Sequence, residues 1–310
     1  MFFFFNLFTA GHNLPYATPS RAPPDPRLFP RYIQNKQGLW LRFMEWWPRH
    51  LVERDVKGIV FIVCGLGEHT GRYDAVALRL NREGYAAFAV DNQGSGGSEG
   101  LRLYVENFFD FVDDVELFVN KIQDTYPALR EKPRFLLGHS MGGLIATHLA
   151  LRHATLFAGV VLSGPAYRTT EEIGSVLRRL VFFLSSWVPK LPVRTLDVAL
   201  VSHNVPVVEL VRQDPYYSNA TLRARFSAEF LSAQEELRNR MAHSTFPFLI
   251  VHGKDDMLCS IEAAREFHRD AVSSDKQMVT YAGAYHEVLT EVCGDQVMND
   301  VMNFILKRTN

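Results

Sequence analysis

Short apolar runs alternate with longer stretches of helical periodicity along most of this chain, and that alternation sets the expected architecture. Near-continuous apolar runs at residues 39–46, 58–64, 85–90, 134–137, 159–163, 248–252 and 277–281 read as strands, because a strand buried on both faces has no polar face to alternate with. Between them, residues 72–83, 105–126, 143–153, 261–271 and 295–306 read as helices, with apolar positions three and four residues apart. Strand–helix alternation of this kind predicts an α/β fold, a mostly parallel sheet covered by helices on both faces. The alternation breaks between residues 166 and 245. That segment holds no convincing strand and several helical or irregular pieces, at 172–187, 207–213 and 226–241. It reads as a helical cap inserted over the carboxyl end of the sheet, where open α/β folds bind ligands. The expected organisation is an N-terminal extension at 1–30, a core from 31–165 and 246–310, and a cap at 166–245.

Composition narrows the class without changing it. A chain of 310 residues accommodates one large α/β domain with an insertion, or two small domains. With 33 basic against 34 acidic residues, neither a nucleic-acid-binding surface nor an acidic tail is implied. Cys64, Cys259 and Cys293 are an odd count at wide spacing. They fit a reducing, cytoplasmic setting better than a disulfide framework, and they lack the paired spacing of a zinc site, so no metal is expected. The stretch from Met1 to Ala10 is apolar, with Phe at positions 2 to 5. No Lys or Arg precedes it, which argues against a secretory signal, and it is too short to span a bilayer. It reads as a tail or a membrane-touching anchor, followed by a proline-rich, extended lead-in to Pro30.

The chemistry centres on the run Phe135-Leu136-Leu137-Gly138-His139-Ser140-Met141-Gly142-Gly143. An apolar strand feeds a G-x-S-x-G pentapeptide and a helical stretch follows, the layout of a nucleophile elbow. A serine there stands above the sheet at a helix N-terminus, where free N–H groups and the helix dipole favour developing negative charge. Its hydroxyl needs a base, and the base needs a carboxylate to fix its tautomer. Strand 248–252 runs into Gly253-Lys254-Asp255-Asp256, with two candidate acids, which could also serve as turn and helix-capping residues. Strand 277–281 runs into Ala282-Gly283-Ala284-Tyr285-His286. The order Ser140, Asp256, His286 is that of α/β-hydrolase triads, with His286 as general base and Asp256 as its orienting carboxylate. Oxyanion donors are expected from the backbone N–H groups of Met141 and, in the loop Gly65-Leu66-Gly67-Glu68-His69, of Leu66.

Taken together, these motifs resemble the monoglyceride lipases of the serine aminopeptidase S33/hydrolase 4 branch of the α/β-hydrolases. The residues that carry the resemblance are Gly65-Leu66-Gly67-Glu68-His69-Thr70-Gly71-Arg72-Tyr73, Gly138-His139-Ser140-Met141-Gly142-Gly143, His252-Gly253-Lys254-Asp255-Asp256 and Gly283-Ala284-Tyr285-His286. The resemblance runs from about Tyr32 to the C-terminus, and its H-G-x-x-D pattern selects Asp256 over Asp255. It implies an eight-stranded sheet, a mobile helical cap, an apolar acyl tunnel, and hydrolysis of monoacylglycerols without a cofactor. It also implies that Glu68 and Arg72 lie near the oxyanion loop and the glycerol-binding end, Glu68 serving equally well as a buried partner of Arg72. Cys259 matches a family cysteine near the substrate pocket. Three positions depart from the pattern. Cys64 replaces the histidine of an H-G dipeptide, and Gly94-Ser95-Gly96 stands where the family reads G-H-G. Leu289 replaces a histidine that helps hold glycerol in the animal enzymes, which implies a different or looser polar end to the site.

In the cap, nine of the fifteen residues from Val176 to Lys190 are large and apolar or aromatic, bracketed by basic residues. Phe182 and Phe183 in this run are expected to line the tunnel or dock on a lipid surface, making the protein a peripheral membrane enzyme. A lysophospholipase or broad carboxylesterase would use the same triad. A non-catalytic lipid-binding protein is disfavoured because all three triad residues are present. The sequence sets no oligomeric state.

Overall fold

Eight strands form a single hydrogen-bonded sheet in the computed structural model, which describes residues 31–170, 174–195, 197–217 and 221–309. The Phe-rich and proline-rich N-terminal segments lie outside the described residues. In chain order the core begins with β1 (Tyr32–Gln34), β2 (Trp40–Trp46), β3 (Gly58–Val63), α1 (Asp74–Arg82) and β4 (Tyr85–Val90). It continues with α2 (Phe109–Thr125), β5 (Arg134–His139), α3 (Met141–Arg152) and β6 (Gly159–Ser163). An insertion follows, containing α4 (Ser175–Trp187), β7 (Pro192–Arg194), α5 (Val205–Gln213), β8 (Leu222–Arg223) and α6 (Ala224–Arg240). The chain then returns as β9 (Phe248–Gly253), α7 (Ile261–Asp270), β10 (Lys276–Tyr281) and α8 (Gly294–Leu306).

The strand order is β1-β2-β4-β3-β5-β6-β9-β10, antiparallel at β1 and β2 and parallel from β4 onward. β3 explains why the apolar runs are continuous. Ile59, Phe61 and Val63 enter the core on one face with α2, α3 and α7, while Val60 and Ile62 enter the core on the other with α1 and α8. Both faces of this strand are buried, so no position is left for a polar residue.

Two features differ from the sequence expectation. β1, at the sheet edge, was too short to register as an apolar run. The insertion also contains strand, since β7 pairs antiparallel with β8; at three and two residues neither is long enough to carry a period. The insertion is joined firmly to the core at its second half. Phe226, Ala233 and Leu237 of α6 belong to the main apolar cluster, and Gln234 Nε2 donates to the Ala166 carbonyl at 2.8 Å.

Candidate active site

Ser140 sits between β5 and α3 with φ 55° and ψ −120°, a positive φ that costs a non-glycine residue about 1–3 kcal/mol. Hydrogen bonds hold it there. Its N–H donates to the Ser163 carbonyl at 2.9 Å, and its own carbonyl accepts from Gly143 N (2.9 Å) and Ala166 N (3.0 Å). The elbow also requires close backbone approach. A Cβ on Gly142 would lie 2.0 Å from the Val63 carbonyl oxygen, and one on Gly138 would lie 2.3 Å from that of Gly142. Met141 opens α3, so its N–H is one of the helix-terminal donors free of an intrahelical partner.

The residues expected as acid and base lie on the loops after β9 and β10. Asp256 Oδ2 lies 2.8 Å from His286 Nδ1, and both residues are buried. The other oxygen, Oδ1, accepts from the backbone N–H groups of Leu258 (2.8 Å) and Cys259 (2.9 Å), which fixes the carboxylate. Burial opposes the Asp256 charge, but the His286 imidazole and these hydrogen bonds keep its carboxyl below the ordinary aspartate range. Burial likewise opposes charge on His286, yet Asp256 reverses that and raises its pKa well above the usual histidine value. Asp255 is exposed and accepts from Gly283 N at 2.8 Å, clasping the two loops together rather than orienting the base. Cys259 lines the same cavity as Ser140 and His286, and burial pushes its thiol pKa up while the neighbouring His286 opposes the shift.

The loop after β3 is organised by Glu68. Oε2 accepts from Gly65 N (2.6 Å) and from the Tyr73 hydroxyl (2.6 Å), while Oε1 faces Arg72 Nε at 3.4 Å. This clamp sets the turn that carries Leu66. Arg72 reaches further, with Nη2 at 2.7 and 2.8 Å from the two oxygens of Glu287. Burial pushes the Glu287 carboxyl up, and Arg72 opposes the shift.

A cavity of about 490 Å³ opens over these groups. Its floor includes Leu66, Ser140, Met141, Cys259 and His286, and its walls are largely apolar side chains of the insertion, among them Phe226 and Phe230. From α4 the lining residues are Leu177, Leu180, Val181 and Leu184, which recur on one helical face. Phe182 and Phe183 do not line this cavity. Arg178 lies over the Phe182 ring at 5.7 Å, and Phe183 is 59% exposed beside Trp187. Leu289 also stays out of the main cavity; it borders a much smaller one behind the Glu68–Arg72–Glu287 cluster. Sequence reasoning passed over Glu287 and His139. His139 is buried with its ring 4.8 Å from that of His286, and burial pushes its pKa down to about 4, so it is neutral and donates from Nδ1 to the Ser163 carbonyl at 3.1 Å. Its position inside G-x-S-x-G was the available signal. For Glu287 the signal was adjacency to His286.

A strained serine between a parallel strand and a helix, followed by Asp and His loops on the same sheet edge, defines an α/β-hydrolase. The family model described as "Serine aminopeptidase, S33" matches residues 54–292. The monoglyceride lipase of Rattus norvegicus is 35% identical over 275 residues, covering 88% of each chain. The monoacylglycerol lipase of Mycolicibacterium smegmatis is 32% identical over 269 residues, covering 87% of this chain and 94% of its own. Among solved structures, a soluble variant of the Saccharomyces cerevisiae monoglyceride lipase in complex with a substrate analog superposes with a TM-score of 0.79 at 24% identity, covering 96% of this chain and 99% of that one. The chain belongs to the serine aminopeptidase S33 family, among its monoglyceride lipases, and is a carboxylic ester hydrolase.

Proposed function

We propose that this enzyme hydrolyses monoacylglycerols to fatty acid and glycerol through an acyl-enzyme on Ser140. The observation that carries the reading is the 2.8 Å contact between His286 Nδ1 and Asp256, set beside the strained Ser140 at the base of an apolar cavity. With Nδ1 committed to Asp256, Nε2 is left to take the Ser140 proton as Oγ attacks the ester carbonyl. The Leu66 and Met141 N–H groups receive the developing oxyanion, each such donor contributing about 10²–10³ in turnover. His286 then protonates the departing glycerol oxygen, and water, deprotonated by His286, releases the acyl chain. The apolar cavity wall accommodates the acyl chain, and the Cys259 thiol sits where a bulky adduct would obstruct the serine.

The decisive experiment measures fatty-acid release from a monoacylglycerol and a matched lysophosphatidylcholine by the wild type and Ser140→Ala. Selective cleavage of the monoacylglycerol, lost in Ser140→Ala, is expected. Preference for the lysophospholipid would keep the triad and change the substrate, whereas activity surviving in Ser140→Ala would overturn the mechanism.

We also infer peripheral docking on lipid. No helix among the described residues is long and apolar enough to cross a membrane. Val176, Phe183 and Trp187 on α4 are 79%, 59% and 75% exposed, on a face adjoining the one that lines the cavity. Replacing Phe183 and Trp187 by Asp should reduce co-sedimentation with lipid vesicles several-fold; unchanged co-sedimentation would sink the docking role of this face.

A further inference from the structure

Glu287 stands at the polar end of the main cavity, next in sequence to His286, with only 5% of its surface exposed. Glu68 forms the adjoining wall. The cation between them is placed differently. Arg72 holds both Glu287 oxygens and approaches Glu68, but it borders the small cavity behind this wall, not the main one. Two carboxylates therefore share one guanidinium, and the main cavity meets the carboxylates first. A buried site of low dielectric magnifies the field of such a pair, because little water is present to screen it. Arg194 also lines the cavity, from the exposed cap strand β7, and it has interactions of its own there. Next to the reacting ester, the fixed charge is acidic.

We propose that Glu287 is a specificity-determining residue, which with Glu68 makes the polar end of the cavity accept uncharged, hydroxyl-bearing alcohol groups and reject anionic ones. A hydroxyl donates to a carboxylate wall; a phosphate or carboxylate would be held against it, with Arg72 already engaged behind. Glu287 thereby supplies the polar end that Leu289 cannot. The inference rests on the ester-hydrolase reading above and adds to it the charge of the alcohol half of the substrate.

The test compares kcat/KM for 1-oleoylglycerol and 1-oleoylglycerol 3-phosphate, which share the acyl chain and the ester, in the wild type and Glu287→Gln. The wild type should favour the neutral lipid by at least tenfold, and the ratio should fall about tenfold or more in Glu287→Gln. A wild-type ratio near one overturns the inference whether or not the variant folds. Equal loss on both lipids in Glu287→Gln also overturns it, because a residue that only braces Arg72 would lower both rates and leave their ratio unchanged. If neither lipid is cleaved, the substrate reading has failed on its own. The charge inference is then decided by the same ratio for phenyl butyrate and 4-carboxyphenyl butyrate, again in both proteins.

Discussion

In the proposed mechanism, the buried pair His286 and Asp256 sets the pH dependence of the reaction. Burial alone would keep the imidazole neutral, and the Asp256 carboxylate at 2.8 Å reverses this, raising the pKa well above that of an ordinary histidine. A general base works only when deprotonated, so kcat/KM should rise with pH along a limb centred above about pH 6.5. The fold feels the opposite slope. The raised pKa stabilises the native state most fully below pH ~6.5, and that contribution fades as pH climbs through the folded value. In Asp256→Asn the largest influence raising the imidazole pKa is gone and burial weighs more heavily. The limb should then move to lower pH while kcat drops about 10⁴-fold, since the imidazole also loses the partner that fixes its tautomer. A pH–rate profile of both proteins checks this; a limb that stays in place in Asp256→Asn would mean that another group titrates.

At the scale of elements, what the sequence displayed was what burial imposes on composition. β3 reads Gly-Ile-Val-Phe-Ile-Val because both its faces are packed, and the same constraint made most of the other sheet strands visible as apolar runs. The elbow was equally plain. Gly138 and Gly142 are dictated by backbone contacts that leave no room for a Cβ, and Ser140 follows from the strained turn between them. The β7–β8 ribbon left no trace, since five residues in all cannot carry a periodic signal. α4 was visible as an apolar helix, but its division into a lining face and an outer face depends on which side meets the cavity. That is why the sequence pattern points to Phe182 and Phe183 for the tunnel or a lipid surface, while Leu177, Leu180, Val181 and Leu184 are the α4 residues that line the cavity. The partnership of Arg72 with Glu287 was hidden for another reason. The two lie 215 positions apart in the chain and meet only when the loops after β3 and β10 are brought side by side.

Across the whole molecule, the part of the insertion around α5 is fastened at both ends to the loops after β3 and β10, which carry Leu66 and His286 of the proposed mechanism. At its start, the His203 N–H donates to Glu291 Oε1 at 3.0 Å and His203 Nδ1 lies 2.7 Å from Glu291 Oε2, while the Val201 carbonyl accepts from Glu287 N at 2.9 Å. These contacts fall on the loop of His286. At its end, Asp214 Oδ2 meets His69 Nε2 at 2.8 Å, and Tyr217 lies under the Arg72 guanidinium at 5.6 Å. These fall on the loop of Leu66. His69 Nδ1 accepts from Gly71 N, which assigns the proton to Nε2 and makes it the donor to Asp214. Movement of this segment thus has to break contacts with both catalytic loops, which couples access to the cavity with the arrangement of the site. Hydrogen bonds to charged groups contribute about 1.5–3 kcal/mol each, enough to change a local opening equilibrium about tenfold or more. Asp214→Asn and His203→Ala leave the catalytic loops' own side chains intact. Asp214→Asn should raise amide hydrogen exchange across residues 198–217 by about tenfold, and His203→Ala, which keeps the backbone hydrogen bond to Glu291, should raise it less, while exchange in β3, β5 and β9 stays near the wild-type level. Exchange in the segment that matches wild type in both variants would mean that apolar packing of α5, through Val208 and Val211, holds it down without help from either pair.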